Sequence, residues 1–162
     1  MTVWRMKLRD KRNSPNCNAD KELKFRICVE KSILAIGWGL NADFDNWAEY
    51  RKIADWYYSD DNGYPTAVNN LSEMKRDDLV WIKNPVTDES YIAQIIDDAP
   101  SLCCYLKEFD IYGYRKAKIF KITPDLLEKY NIPNKNGKGH TIEHVRIQSV
   151  IDGTIKLLDS IK

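Results

Sequence analysis

The chain has 162 residues and a mass of 18.9 kDa, which predicts a single domain over residues 1–162 and excludes a multidomain machine. A composition of 43% hydrophobic and 30% charged residues excludes a disordered or fibrous protein. No apolar run approaches the ~18 residues of a membrane span, and the basic opening lacks the hydrophobic region of a signal peptide. We therefore expect a cytoplasmic protein that does not bind membranes.

The net charge of +1 hides an uneven distribution along the chain. Residues 1–31 carry nine Lys/Arg against four Asp/Glu, residues 32–110 carry six against fifteen, and residues 111–162 carry ten against five. If the two basic terminal segments pair in space, they form a positive face suited to a polyanionic ligand. The alternative is an ordinary solvated surface of mixed charge.

Hydrophobic periodicity predicts the first elements in chain order. A short basic strand covers residues 3–9, and a buried strand covers 33–36, whereas 24–29 fits neither pattern. The glycines on either side of Trp38 are expected to let the backbone bend tightly and to expose the indole at the strand end.

Helical spacing then predicts a two-helix insert. The first helix covers 45–58, with Asn46 and Glu49 as a capping box, and the second begins near Pro65 and continues to Met74.

After the insert, the spacing returns to that of strands. Runs 79–83 and 91–96, joined by a polar turn, predict an antiparallel hairpin. Further strands are predicted over 102–109 and over 114–122, where basic and apolar residues alternate, and a short helix over 124–130. The whole pattern predicts a mixed α/β (α+β) fold.

The one enzyme motif is His140-x-x-Glu143-His144, the H-x-x-E-H pattern in which two histidines bind zinc and a glutamate acts as base. That chemistry needs a helix, whereas 144–151 fits either a last strand or the start of a helix. The four cysteines form no CxxC pair and are expected to be free thiols. A zinc-dependent hydrolase is therefore an alternative interpretation, and no metal site or cofactor is predicted.

Four tryptophans and a tyrosine stand where they could line one pocket: Trp38, Trp47, Trp56, Trp81 and Tyr91. A flat nucleobase gains ~1–3 kcal/mol from each aromatic face on which it stacks. The alternative is that these side chains fill a large aromatic core.

The order of motifs resembles that of a known superfamily. WRMK (4–7) and ILAIGWG (33–39) are followed by a helical insert, KRDDLVWI (75–82) and YIAQI (91–95). This order is similar to the PUA-like superfamily, especially EVE- and YTH-like domains and the amino-terminal modules of modification-dependent restriction and phage-defence proteins. The resemblance covers residues 1 to about 122, and its specific part is the pair IGWG and DLVWI.

The resemblance implies a curved β-barrel with flanking helices that binds nucleic acid without catalysis and receives an extruded, often modified base in an aromatic pocket. Trp38 matches the aromatic residue at the first strand end of YTH-like cages. After the Tyr91 strand, where that pattern has tryptophans, this chain has Pro100, Leu102 and Tyr105, so a methyl-adenine cage is not matched.

We therefore expect a non-enzymatic nucleic-acid-binding domain, with DNA favoured over RNA, that serves restriction or phage defence and can belong to a larger effector or nuclease. A protein-interaction module is a further alternative. The predicted base pocket comprises Trp38, Trp47, Trp56, Trp81, Tyr91 and Tyr105. The predicted contacts to the nucleic-acid backbone are Arg5, Lys7, Arg9, Arg115, Lys116 and Lys118.

Overall fold

The computed structural model describes residues 1–8, 22–133 and 141–161. Within these ranges the chain forms a mixed α+β fold in which a sheet curls into a half-barrel with several helices around it. The strands are β1 (Val3–Met6), β2 (Ile33–Ile36), β3 (Leu79–Lys83), β4 (Ser90–Ile95), β5 (Ser101–Leu102), β6 (Gly113–Ile122) and β7 (Ile142–His144). The helices are α1 (Leu23–Glu30), α2 (Trp47–Tyr57), α3 (Tyr64–Glu73), α4 (Pro124–Lys129) and α5 (Gln148–Ile161), with a 3₁₀ helix over Cys104–Phe109.

Within the described ranges, the sheet has seven strands in the order β2-β6-β4-β3-β1-β7, and β5 pairs with β6. β1 and β3 run parallel, and the other neighbours are antiparallel. The predicted hairpin is confirmed, because β3 and β4 pair from Leu79 opposite Gln94 to Lys83 opposite Ser90. β1 also pairs with β7, so the two terminal segments of the chain do meet.

The sheet separates two hydrophobic clusters because alternate residues of each strand point to opposite faces. On the inner face, Trp4 and Met6 join the larger cluster with α2 and α3. On the outer face, Val3 and Trp81 pack under α4 and α5. A site built on one face is therefore separated from the other by the sheet itself.

The two-helix insert forms as predicted. Asn46 caps α2 by accepting a hydrogen bond from the backbone N–H of Glu49 at 3.0 Å, and the Glu49 side chain accepts one from the Asp45 N–H at 3.3 Å. Of the apolar residues of α2, only Tyr50 and Ala54 are fully buried.

The ambiguous segments are resolved by the structure. Residues 24–29 lie in α1, and 144–151 contains both the end of β7 and the start of α5. The predicted strand over 102–109 is wrong, because only Leu102 remains in a strand and a 3₁₀ helix follows. Cys103 and Leu106, the two buried residues there, lie three positions apart, which matches the three residues per turn of a 3₁₀ helix.

No helix in the part of the chain that the structure describes is long and apolar enough to cross a membrane.

Candidate nucleic-acid interface

The turn after β2 places a tryptophan in an unusual backbone conformation. Trp38 has a φ of 62°, in the left-handed region that bulky residues avoid at a cost of about 1–3 kcal/mol. Glycine is required at the positions on either side of Trp38, because a side chain there would clash with a neighbouring residue. A Cβ on Gly37 would lie 1.8 Å from Asp110 Oδ1, and one on Gly39 would lie 2.9 Å from Tyr112 Cδ2. The strain therefore falls on Trp38, while the two glycines let neighbouring side chains approach.

Trp38 is enclosed, with 9% of the residue's surface exposed. Its Nε1 donates to Asp61 Oδ2 at 3.0 Å, and the hydroxyl of Tyr50 donates to its carbonyl oxygen at 2.8 Å. Asp61 Oδ1 accepts from the backbone N–H groups of Gly63 at 2.9 Å and Tyr64 at 3.2 Å, which fixes the loop between α2 and α3 against the ring. The prediction that the flanking glycines expose the indole is therefore wrong.

Two tyrosines connect the enclosed indole to the surface. The Tyr64 ring lies edge-on to Trp38, with centroids 6.1 Å apart, and the Tyr58 ring lies 5.1 Å from Tyr64. Tyr58 is half-buried, and its hydroxyl donates to the carbonyl oxygen of Gly39 at 2.8 Å. We call Trp38, Tyr64 and Tyr58 the aromatic series, and Tyr58 is its surface end.

Burial raises the pKa values of the two phenols in the series. It raises the pKa of Tyr58 to about 12, with smaller contributions from Tyr57 and from the carboxylates of Asp110 and Asp61. The pKa of Tyr64 is also raised, mainly by burial and then by its hydrogen bond to Asp55, whose carboxylate accepts from the hydroxyl at 2.7 Å. The series therefore presents neutral rings beside fixed carboxylates at physiological pH.

A buried ion pair supports the turn from below. Lys24 Nζ on α1 lies 2.8 Å from Asp110 Oδ2, with 3% of the lysine side chain and 15% of the aspartate side chain exposed. Asp110 ends the 3₁₀ helix in a left-handed conformation, with a φ of 56°, and its other carboxylate oxygen faces Gly37. The pair therefore fixes α1 and the 3₁₀ helix against the Trp38 turn.

The structure divides the predicted base pocket. Trp47 is half-buried, lies 5.1 Å from the Tyr50 ring and donates from Nε1 to Ser72 Oγ at 3.0 Å. Trp81 belongs to the outer cluster, where its Nε1 donates to Thr154 Oγ1 at 3.0 Å. Because Trp81 and Trp38 lie in clusters on opposite faces of the sheet, the prediction that they share one pocket is wrong.

The other three members of the predicted pocket also lie apart. Tyr91 packs against Phe25, with ring centroids 5.1 Å apart. Trp56 and Tyr105 are exposed on α2 and on the 3₁₀ helix, and among the described residues neither ring contacts another aromatic ring. Sequence reasoning missed Tyr58, Tyr64 and Asp61, for which the loop SDDNGY beside Pro65 was the available signal.

Arg115 was predicted to contact phosphates, and that prediction is wrong because its side chain is fully buried. Its Nε donates to Asp97 Oδ1 at 2.7 Å, and its Nη2 donates to the Asp97 carbonyl oxygen at 2.8 Å. Its Nη1 donates to the carbonyl oxygens of Leu71, at 3.1 Å, and Met74. The guanidinium therefore provides hydrogen-bond donors for the carbonyl oxygens at the end of α3 and for the Asp97 turn.

Lys116 and Lys118 face solvent, because alternate residues of β6 point away from Arg115. Exposed Lys31 lies nearby, since its neighbour Ser32 accepts a backbone hydrogen bond from Ala117. None of the three lysines has an ion-pair partner within the described ranges. We call Lys31, Lys116 and Lys118 the lysine patch.

The remaining residues that were predicted to contact the nucleic-acid backbone are less accessible to a phosphate or are not described. Arg5 Nη1 lies 3.3 Å from Glu143 Oε1 across the β1–β7 pair, so its charge is already partnered. Lys7 is half-buried, and its backbone N–H donates to the Thr141 carbonyl oxygen at 2.8 Å. Arg9 lies outside the described residues.

The H-x-x-E-H segment is not helical over its described part. Glu143 and His144 are successive residues of β7 and point to opposite faces. The His144 ring lies 3.7 Å from that of Trp4, and His140 lies outside the described residues. In the described part of the chain, no three His, Cys, Asp or Glu side chains are grouped to hold a metal ion.

The thiols that the structure describes are free, as predicted. Cys28 and Cys103 are buried and Cys104 is half-buried, while Cys17 lies outside the described residues.

No protein-family model matches this chain, and no curated protein matches it. The resemblance to PUA-like domains therefore depends on the motif order alone.

Proposed function

We propose that this protein is a non-enzymatic, PUA-like nucleic-acid-binding domain that recognises an extruded, modified base of DNA. The base stacks at the surface end of the aromatic series, and the lysine patch binds the phosphate backbone. The single observation that carries the proposal is the strained Trp38 turn with its aromatic series. Strain of this kind at a bulky residue is concentrated at ligand sites, because the surrounding structure must compensate for it.

The rings and their polar neighbours suit a nucleobase. Tyr58 is the half-buried ring of the series and offers a π surface, which every base can use for stacking. The Asp61 carboxylate holds the series in place, because it accepts a hydrogen bond from the Trp38 indole. Trp38 packs against Tyr64 and forms the buried end of the aromatic series.

The lysine patch lies at the opposite end of β2 from the turn. Ile33 pairs with Lys116, and Ile36 pairs with Gly113, so β2 runs from the patch towards Trp38. β2 rises over three residue steps from Ile33 to Ile36, which corresponds to roughly 10 Å, and the turn to Trp38 follows. A nucleic-acid strand that follows this direction can contact the patch through phosphates while one base reaches Tyr58.

The zinc-hydrolase alternative receives no support from the described residues. The H-x-x-E-H mechanism needs a helix that holds both histidines on one face. Here Glu143 is already paired with Arg5, and His144 stacks on Trp4.

Base recognition is tested with a panel of modified and unmodified oligonucleotides, single-stranded and duplex, titrated by intrinsic tryptophan fluorescence. We expect one modified oligonucleotide to bind most tightly and Tyr58→Leu to weaken its binding by about 5- to 150-fold, because one stacking face is lost. Tyr105→Leu, at an exposed tyrosine outside the series, is the matched control and should bind as the parent does. Equal loss in both variants, or no binding by the parent, would contradict the proposal.

Phosphate contact by the lysine patch is tested through salt dependence. Replacing Lys116 and Lys118 together by alanine should lower affinity for all sequences alike. It should also flatten the plot of log K against log salt concentration by about 0.9 per lost contact on duplex, or about 0.7 on single strands. Replacing Lys129, which lies over the Tyr130 ring on α4, is the control. An unchanged slope in the double variant would place the phosphates elsewhere.

A further inference from the structure

An apolar ridge on α2 is left uncovered in the fold. Ile53, Trp56 and Tyr57 are 51%, 77% and 62% exposed. Their i, i+3, i+4 spacing places them on one side of the helix, next to the buried stripe of Tyr50 and Ala54. Three large apolar side chains on a single helix face are characteristic of a surface that another macromolecule covers. We call Ile53, Trp56 and Tyr57 the α2 ridge.

The charges around the ridge are mainly negative. Exposed Glu49 lies one turn before Ile53, exposed Asp60 follows the helix, and Asp43 and Asp45 precede it. None of these four carboxylates has an ion-pair partner in the part of the chain that the structure describes. This surface is opposite in charge to the lysine patch and is not an extension of it.

The nearby basic residues do little to compensate. Arg51 Nε is paired with Asp55 Oδ1 at 2.7 Å, and its Nη2 also donates to Asn69 Oδ1 at 3.0 Å. Lys52, one turn before Trp56, is an exposed cation next to the ridge. A second copy of the chain would bring the same carboxylates together, so the charges favour a different, basic partner.

We propose that the α2 ridge is a docking surface for a partner protein that presents apolar side chains between lysines or arginines. Trp56 is the central contact, because tryptophan is the residue type most enriched among side chains that dominate binding energy. The carboxylates at both ends of the ridge orient the partner's basic residues and accelerate association. This surface adds to the proposed function, and it does not depend on nucleic-acid binding.

The experiment uses the full chain and two synthetic 12-residue peptides of the same leucine pattern, one with lysines and the other with glutamates between the leucines. Binding is measured by fluorescence anisotropy of the labelled peptides. We expect the lysine peptide to bind, the glutamate peptide not to bind, and Trp56→Ala to weaken binding by about tenfold or more. Tyr105→Ala, which removes an equally exposed aromatic residue from the 3₁₀ helix, is the matched control and should leave binding unchanged.

The role of the carboxylates is tested by Asp45→Asn together with Asp60→Asn, which should weaken binding of the lysine peptide and reduce its dependence on salt. The proposal is overturned if both peptides bind alike, if Trp56→Ala and Tyr105→Ala lose binding equally, or if the ridge mediates self-association in sedimentation. Oligonucleotide titration of Trp56→Ala keeps the two proposals separate. A parental affinity is expected, and a loss would assign Trp56 to the base pocket instead.

Discussion

Arg115→Met is expected to lower the free energy of unfolding by about 3–5 kcal/mol, because it leaves the Asp97 carboxylate and three carbonyl oxygens without their buried donor. The loss is measured by urea unfolding followed by tryptophan fluorescence. Lys116→Met is the matched control, since the neighbouring side chain faces solvent, and it should change stability by less than about 0.5 kcal/mol.

The same comparison separates structural from binding roles on β6. Asp97→Asn combined with Arg115→Met should lower the free energy of unfolding by less than the sum of the two single changes. The reason is that the neutral amide at position 97 needs no counter-charge. If Arg115→Met unfolds at the parental urea concentration but binds oligonucleotides weakly, the guanidinium contacts the ligand and its structural assignment is wrong.

Trp38→Ala is expected to lower stability by about 3–5 kcal/mol, because a large enclosed ring and its hydrogen bond to Asp61 are both removed. Trp56→Ala removes the same side chain from an exposed position on α2 and should leave the thermal midpoint nearly unchanged.

A conservative variant keeps this prediction testable if Trp38→Ala does not fold. Trp38→Phe retains an aromatic ring but cannot donate to Asp61, so it should melt earlier than the parent and remain suitable for oligonucleotide titration. Equal melting of Trp38→Ala and Trp56→Ala would show that the indole does not support the turn.

The elements that sequence reasoning recovers are those with a clear period. The β3–β4 hairpin, β2, β6 and the two-helix insert follow from spacing, because alternation and helical repeats report which residues are buried. The 3₁₀ helix was missed because a repeat of three over only six residues cannot be told from a short apolar strand.

The candidate site was less predictable because it depends on contacts between distant segments. A basic residue in a strand of alternating pattern is normally predicted to face solvent. Arg115 instead lies on the inward face of β6 and contacts the end of α3, 41 residues earlier in the chain. The glycines beside Trp38 indicated a turn, but they did not predict the burial of its indole. Its burial comes from Asp61 and Tyr64, which sequence patterns do not place beside it.

The position of β1 between β3 and β7 constrains how the chain can fold. Arg5 meets Glu143 across 138 residues, and the N–H of Thr2 meets Asp78 across 76. During synthesis, the first strand therefore lacks its β3 partner until about half of the chain has emerged and its β7 partner until almost all of it has, whereas the β3–β4 hairpin forms from neighbouring segments. Closing such long loops costs entropy before any pairing is gained, so completion of the sheet is a late and slow step.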